Sequence, residues 1–168
     1  FAEALQRLSG RPVLAFDIGG GWISEEFPLF LTDRLPSLLL KIRKLFPDIE
    51  EVLLEPGKAL VENSMMLVTR VLEVRERANK REVIVDGSIA ELPLTQIIGR
   101  EVYAFSANEK SVGLQRGNDR ILGRLCMEHD ILAVNTAIPA WLKTGDFIVF
   151  SHAGAYDASM SYIFGLGG

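Results

Sequence analysis

Cysteine is almost missing from this chain. Only Cys126 occurs in 168 residues, which excludes an internal disulfide and leaves no Cys-based zinc site. Two histidines, His129 and His152, are too few for a His-rich metal centre, so no metal is expected. An excess of positive charge is missing too: 18 Lys and Arg stand against 22 Asp and Glu, a net charge of −4. No stretch gathers Lys and Arg on one face. Nucleic acid is therefore not an expected partner, because phosphate neutralisation dominates that kind of affinity. Long apolar runs are also lacking. The longest, around Ile131 to Val134, falls far short of the roughly 20 residues of a membrane span. No basic segment followed by an apolar one opens the chain. A cytoplasmic protein with no membrane partner is the expectation.

What is present suffices to build a core. Apolar residues make up 48% and charged residues 24%, ordinary values for a globular chain. A chain of this length can bury roughly two-thirds of its unfolded surface without disulfide or metal staples. The ends read as those of a piece of a longer polypeptide. Phe1 to Leu8 has the helical spacing of Ala2, Leu5 and Leu8, stopped by Gly10 and Pro12, and Leu166-Gly167-Gly168 closes the chain on flexible residues.

Val13 to Phe16 is a short continuous apolar run, the pattern of a strand buried on both faces. It runs directly into Asp17-Ile18-Gly19-Gly20-Gly21. Asp33 is placed to cap a helix from Pro36 to Phe46 with Leu35, Leu38, Leu39, Ile42 and Leu45 on one face. Val52-Leu53-Leu54 is a second buried strand, running into Glu55-Pro56-Gly57-Lys58. Strand, glycine loop, helix, strand and glycine turn make an α/β unit with parallel strands. From about Met65 the texture changes to short runs: Leu67 to Arg75, Glu82 to Asp86, Arg100 to Phe105, Ser111 to Leu114, Ile121 to Cys126 and Asp146 to Phe150. Turn residues separate them (Asn79, Gly87, Asn108, Gly117-Asn118, Gly145), which predicts a mostly antiparallel β-domain. The expected domains are 1–63 and 64–168.

Each site motif has two readings when taken alone. Glycines at the end of a parallel strand let backbone N–H groups approach a phosphate, and they equally ease a tight turn. Glu55 at a strand's C-terminal end suits a buried carboxylate facing a ring N–H, or an ordinary Pro-Gly turn. Cys126, read as part of a strand, is either an inert side chain or an acid. Tyr156 offers a phenol or a half-buried aromatic.

Taken in order, Asp17-Ile18-Gly19-Gly20-Gly21, Glu55-Pro56-Gly57-Lys58, Gly123-x-x-Cys126-x-x-x-Asp130 and Gly145-Asp146-(x)₇-Gly154-Ala155-Tyr156 resemble one known family. They are similar to the C-terminal part of the pyridoxal-phosphate-dependent ornithine/diaminopimelate/arginine decarboxylases of the alanine-racemase-like fold type III. The resemblance runs from Val13 to Phe164. It implies the tail of a (β/α)₈ barrel followed by a β-domain. It further implies pyridoxal 5′-phosphate as cofactor, α-decarboxylation of an amino acid, and a homodimer with its active site at the subunit interface. By the same resemblance, the Gly19-Gly20-Gly21 loop would receive the cofactor phosphate, with backbone N–H groups of Gly20 and Gly21 donating to it. Gly57, Lys58 and the Tyr156 hydroxyl would complete that cradle. Glu55 would keep the pyridine nitrogen protonated. Cys126 would protonate the carbanion left by carbon dioxide, with Met127 and Asp130 beside the substrate.

The sequence departs from the family pattern in three ways. Lys58 stands where arginine is usual, which keeps the charge and loses the planar fork. Met127 follows the cysteine where many members carry an acidic residue for the substrate's distal amine. No lysine among Lys41, Lys44, Lys58, Lys80, Lys110 and Lys143 has the context of the Schiff-base lysine, so these 168 residues by themselves are expected to be inactive. Leu94, Thr95 and Ile98 fill the region after Asp86-Gly87 where a substrate-binding charge is usual. Together these changes predict poor use of diaminopimelate and ornithine. Two alternatives remain from other classes: a non-catalytic homologue that binds a partner protein, and a racemase of the related fold.

Overall fold

The computed structural model describes residues 2–107 and 111–164, which fall into two compact units, 1–62 and 63–168. Phe1, the Asn108 turn, Lys110 and the Leu166-Gly167-Gly168 end lie outside the described residues.

In the first unit, helix α1 spans Ala2–Ser9 and ends at Gly10, whose φ of 64° suits glycine. Strand β1 (Ala15–Gly20) leads through a loop into a helical stretch. That stretch comprises α2 (Glu26–Leu29), a π-helical segment (Phe30–Arg34) and α3 (Leu35–Leu45). Strand β2 (Glu51–Glu55) and the short helix α4 (Gly57–Val61) follow. β1 and β2 pair in parallel, with Phe16 opposite Val52 and Gly20 opposite Glu55. Phe16 and Phe46 stack at 6.2 Å, tying β1 to the residue that follows α3.

Two expectations fail here. Asp33 caps nothing, because the preceding turns are already helical; its carboxylate accepts the Thr32 hydroxyl at 2.8 Å instead. Neither strand is buried on both faces, since Ala15 and Asp17 of β1 are exposed and Leu53 of β2 is 48% exposed. Apolar content alone does not say which neighbours cover a strand.

The second unit is a seven-stranded sheet in the order β6-β5-β9-β3-β4-β7-β8. Its strands are β3 (Leu67–Arg77), β4 (Lys80–Val85), β5 (Val102–Phe105), β6 (Ser111–Gly113), β7 (Arg116–Leu122), β8 (Ile131–Thr136) and β9 (Phe147–Phe150). Helix α5 (Asp157–Met160) follows them. All pairs are antiparallel except β4–β7. Val71, Val83, Val85, Ile121, Ile148 and Phe150 form the centre of its core, each nearly fully buried.

Three details differ from the sequence reading. Gly117-Asn118 lies inside β7 rather than in a turn, because register shifts let the strand bulge there. β7 ends at Leu122, so Cys126 lies in a loop and not in a strand. The run from Ile131 is itself a strand, β8, which the sequence reading passed over.

Candidate active site

The first unit brings six of the expected residues, Gly19, Gly20, Gly21, Glu55, Gly57 and Lys58, to the C-terminal ends of its two parallel strands. An Asx-type contact shapes the glycine loop: the Gly19 N–H donates to Asp17 Oδ1 at 2.7 Å, and Gly19 and Gly21 take φ of 80° and 93°. Gly20 is required for a different reason. A Cβ there would collide with the backbone carbonyl of Glu55, so only glycine lets the two strand ends lie side by side. Gly57 has neither a positive φ nor any neighbour that a Cβ would meet, so the fold itself makes no demand for glycine there.

Glu55 is exposed. Its carboxylate carries no hydrogen bond or ion pair among the described residues. Lys58 is pinned. Its ammonium lies 3.7 Å from Glu62, one helical turn on, and Glu62 is only 1% exposed. The other Glu62 oxygen accepts the Ser24 backbone N–H, just past the glycine loop. One buried carboxylate thus ties Lys58 to that loop. Sequence reasoning missed Glu62, although the four-residue spacing from Lys58 was a usable signal.

In the second unit, Cys126 is exposed on the loop between β7 and β8. Asp130 builds that loop. It is 3% exposed, and its two oxygens accept the N–H groups of Ile89 at 2.8 Å and Leu125 at 2.7 Å. A Cβ at Gly123 would collide with that carboxylate, which explains the glycine three positions before the cysteine. Both oxygens serve backbone amides, so Asp130 positions the loop that carries Cys126. Met127 is half-buried and packs against the core. Burial, and the nearby Asp130 and Glu91 charges, raise the Tyr162 phenol above its ordinary pKa.

Tyr156 ends a separate segment. It is 52% exposed and adopts φ 67°, a conformation an aromatic residue holds only when its surroundings impose it. The imposing group is Arg100. Its Nη1 donates to the carbonyls of Ser151 and His152 at 3.2 and 2.6 Å, and its Nη2 donates to Asp157 at 2.6 Å. Both side chains of the Arg100–Asp157 pair are almost wholly buried. Sequence reasoning missed this pair, and a separation of 57 residues leaves no local signal for it.

The family model for the C-terminal sheet domain of pyridoxal-dependent decarboxylases matches residues 16–154. The chain belongs to that family. A diaminopimelate decarboxylase of Helicobacter pylori is 29% identical over 149 residues, which are 87% of this chain and 36% of the relative. The chain thus spans about a third of the length of that relative. A solved structure of the Helicobacter pylori diaminopimelate decarboxylase complexed with L-lysine superposes with a TM-score of 0.67 at 25% identity, covering 96% of this chain and 39% of that one. Lysine decarboxylase from Selenomonas ruminantium superposes with a TM-score of 0.71 at 23% identity, covering 96% and 42%. Among the described residues no helix is long and apolar enough to cross a membrane.

Proposed function

We propose that this chain is the cofactor-facing C-terminal part of a pyridoxal-phosphate-dependent amino-acid α-decarboxylase. In this reading residues 1–63 are the tail of a (β/α)₈ barrel and residues 64–168 the β-domain. The observation that carries it is the pairing of Gly20 with Glu55 at the ends of β1 and β2. That pairing sets a glycine loop beside a carboxylate that has no partner among the described residues. The exposed Ala15 of β1 and half-exposed Leu53 of β2 support the barrel assignment, since parallel strands are ordinarily covered on both faces.

The residues fit the cofactor. Backbone N–H groups of Gly20 and Gly21 receive the phosphate, the open side of Gly57 leaves room for it, and Lys58, held by Glu62, supplies positive charge. The family resemblance adds the Tyr156 hydroxyl as a further donor. Glu55 accepts the pyridine N–H and so keeps that nitrogen protonated. Bound there, pyridoxal phosphate would supply an electron sink for the pair released as carbon dioxide leaves the substrate. Cys126 Sγ then delivers a proton to the substrate Cα, and the Asp130-braced loop holds the thiol in place. A homodimer, in which Cys126 serves the partner subunit's site, completes the reading.

Carbon dioxide release by the full-length protein with its cofactor, over a panel of L-amino acids, tests the proposal. Release from one of them, lowered at least about a hundredfold by Glu55→Gln, is the expected result. Racemisation without release would support the racemase reading. Cofactor binding with neither reaction would support a non-catalytic homologue.

A further inference from the structure

We infer that Glu62 is a positioning residue for phosphate recognition: without touching the cofactor, it sets the Lys58 ammonium against the glycine loop. The inference rests on the reading above, in which the ends of β1 and β2 receive the cofactor phosphate.

The loop after β1 is fastened at two points. At its start the Gly19 N–H donates to Asp17 Oδ1. At its far end the Ser24 N–H donates to Glu62 Oε1, across a separation of 38 residues. Gly20 and Gly21, whose N–H groups are the proposed phosphate donors, lie between these ties. The second oxygen of Glu62 faces the Lys58 ammonium at 3.7 Å, one turn back along α4. The two oxygens of one carboxylate are close neighbours, so the far end of the loop and the ammonium are brought side by side.

Stability does not account for a charge at this position. Glu62 is 1% exposed, and an ion pair offsets the desolvation of a buried carboxylate only through close hydrogen bonds. At 3.7 Å the Lys58–Glu62 pair is within Coulombic reach but beyond hydrogen-bond length. A glutamine in the same place would accept the Ser24 N–H as well as glutamate does. The negative charge therefore serves Lys58.

The chemistry of lysine explains why it needs such a partner. An ammonium on a flexible stem is a mobile point charge, whereas a guanidinium carries a planar fork that sets its own geometry on a phosphate. The Lys58 side chain is 19% exposed, so most of its stem is already packed, and Glu62 fixes the charged end. Because the pair is too long for a hydrogen bond, the N–H donors of Lys58 stay open to an arriving anion. Among the described residues Lys58 has no other ionic partner. Glu62 thus gives a lysine the fixed geometry that an arginine would have by itself.

The test is the preference of the full-length apo-protein for pyridoxal 5′-phosphate over pyridoxal, read as a ratio of dissociation constants from equilibrium dialysis. Ring and aldehyde are common to both ligands, so the ratio reports the phosphate contacts alone. The wild type is expected to prefer the phosphorylated ligand. Glu62→Gln keeps an acceptor for Ser24 and removes the charge beside Lys58. It should lower the preference about tenfold, the scale of one misplaced charge-assisted contact, with pyridoxal binding unchanged. In a Lys58→Arg background the same substitution should cost no more than about twofold. Equal weakening of both ligands, no change in either, or the same tenfold loss beside Arg overturns the inference and leaves the cofactor reading standing. A wild type that binds both ligands equally removes the phosphate cradle itself. Thermal unfolding checks that each variant folds. Where Glu62→Gln does not, Glu62→Asp, which keeps the charge and draws it back by one methylene, takes its place with the same expected loss. If neither folds, Glu62 is a structural residue and the inference falls.

Discussion

In the proposed function single side chains carry most of the chemistry, and their environments separate the proposed reacting groups from supporting ones. Cys126 is exposed and free, whereas Asp130, four residues on, is buried and saturated. If Cys126 is the proposed general acid, Cys126→Ala in the full-length protein should leave cofactor binding intact and lower kcat by about 10²- to 10⁴-fold; unchanged kinetics would remove the thiol from the reaction. Asp130→Asn acts differently. It turns one acceptor into an NH₂ group facing a backbone N–H, which should destabilise the fold by about 1–3 kcal/mol in urea unfolding. A variant as stable as the wild type would mean that the two amides find other partners. Glu82, buried and hydrogen-bonded by Arg75 and Arg120, adds a pH dependence. Its folded pKa lies below the ordinary 4.5, so its stabilising contribution is present above that value and is lost as pH falls through the lowered one. The stability gap between wild type and Glu82→Gln should therefore close as pH is lowered from about 5 into that range. A constant gap would show that the Arg75–Glu82–Arg120 row contributes nothing through charge.

At the level of elements, the turn between β9 and α5 is built against local preference and held by tertiary contacts. His152 and Tyr156 both adopt positive φ, at 55° and 67°, and the buried Arg100–Asp157 pair fastens the segment at both ends. Positive φ at a bulky residue costs on the order of 1–3 kcal/mol and persists only where the surroundings over-determine it. Tyr156→Gly should therefore stabilise the protein by up to about 1 kcal/mol while weakening pyridoxal phosphate binding, if the hydroxyl serves the phosphate. Cofactor titration alongside thermal unfolding reads both effects. Loss of stability would show that the ring itself packs the turn. Breaking the pair by Arg100→Met leaves Asp157 charged and buried, a change that typically costs about 3–5 kcal/mol.

Over the whole chain, the two units differ in how well they cover themselves. The sheet of the second unit has a continuous core from Val71 to Phe150, but the parallel pair β1–β2 leaves Ala15 exposed and Leu53 about half exposed. Parallel strands are ordinarily buried on both faces, and an open edge is a template for further pairing. The 168-residue chain should therefore self-associate at micromolar concentration. A single monomeric species in sedimentation velocity would contradict this.

Much of the second unit was legible in the residues themselves, because short apolar runs punctuated by Asn79, Gly87 and Gly145 follow from local backbone preference. The order of the four motifs was equally legible, and it carried the family with it. β8 was not, since the apolar run at Ile131 looks alike in a strand and in a buried helix segment. Strand ends were also obscure: β7 stops before Cys126 because Asp130 draws the chain into a loop through the Leu125 amide, a contact no local pattern encodes. The sequence by itself determined which residue types are available for chemistry and the order in which they occur. Only the tertiary structure decided that Gly20 must be bare to admit the Glu55 carbonyl, that Glu62 holds Lys58, and that Arg100 reaches across 57 residues to Asp157. The physical reason is the same in each case. Burial and pairing are properties of neighbours in space, and a chain does not reveal those neighbours until it has closed on itself.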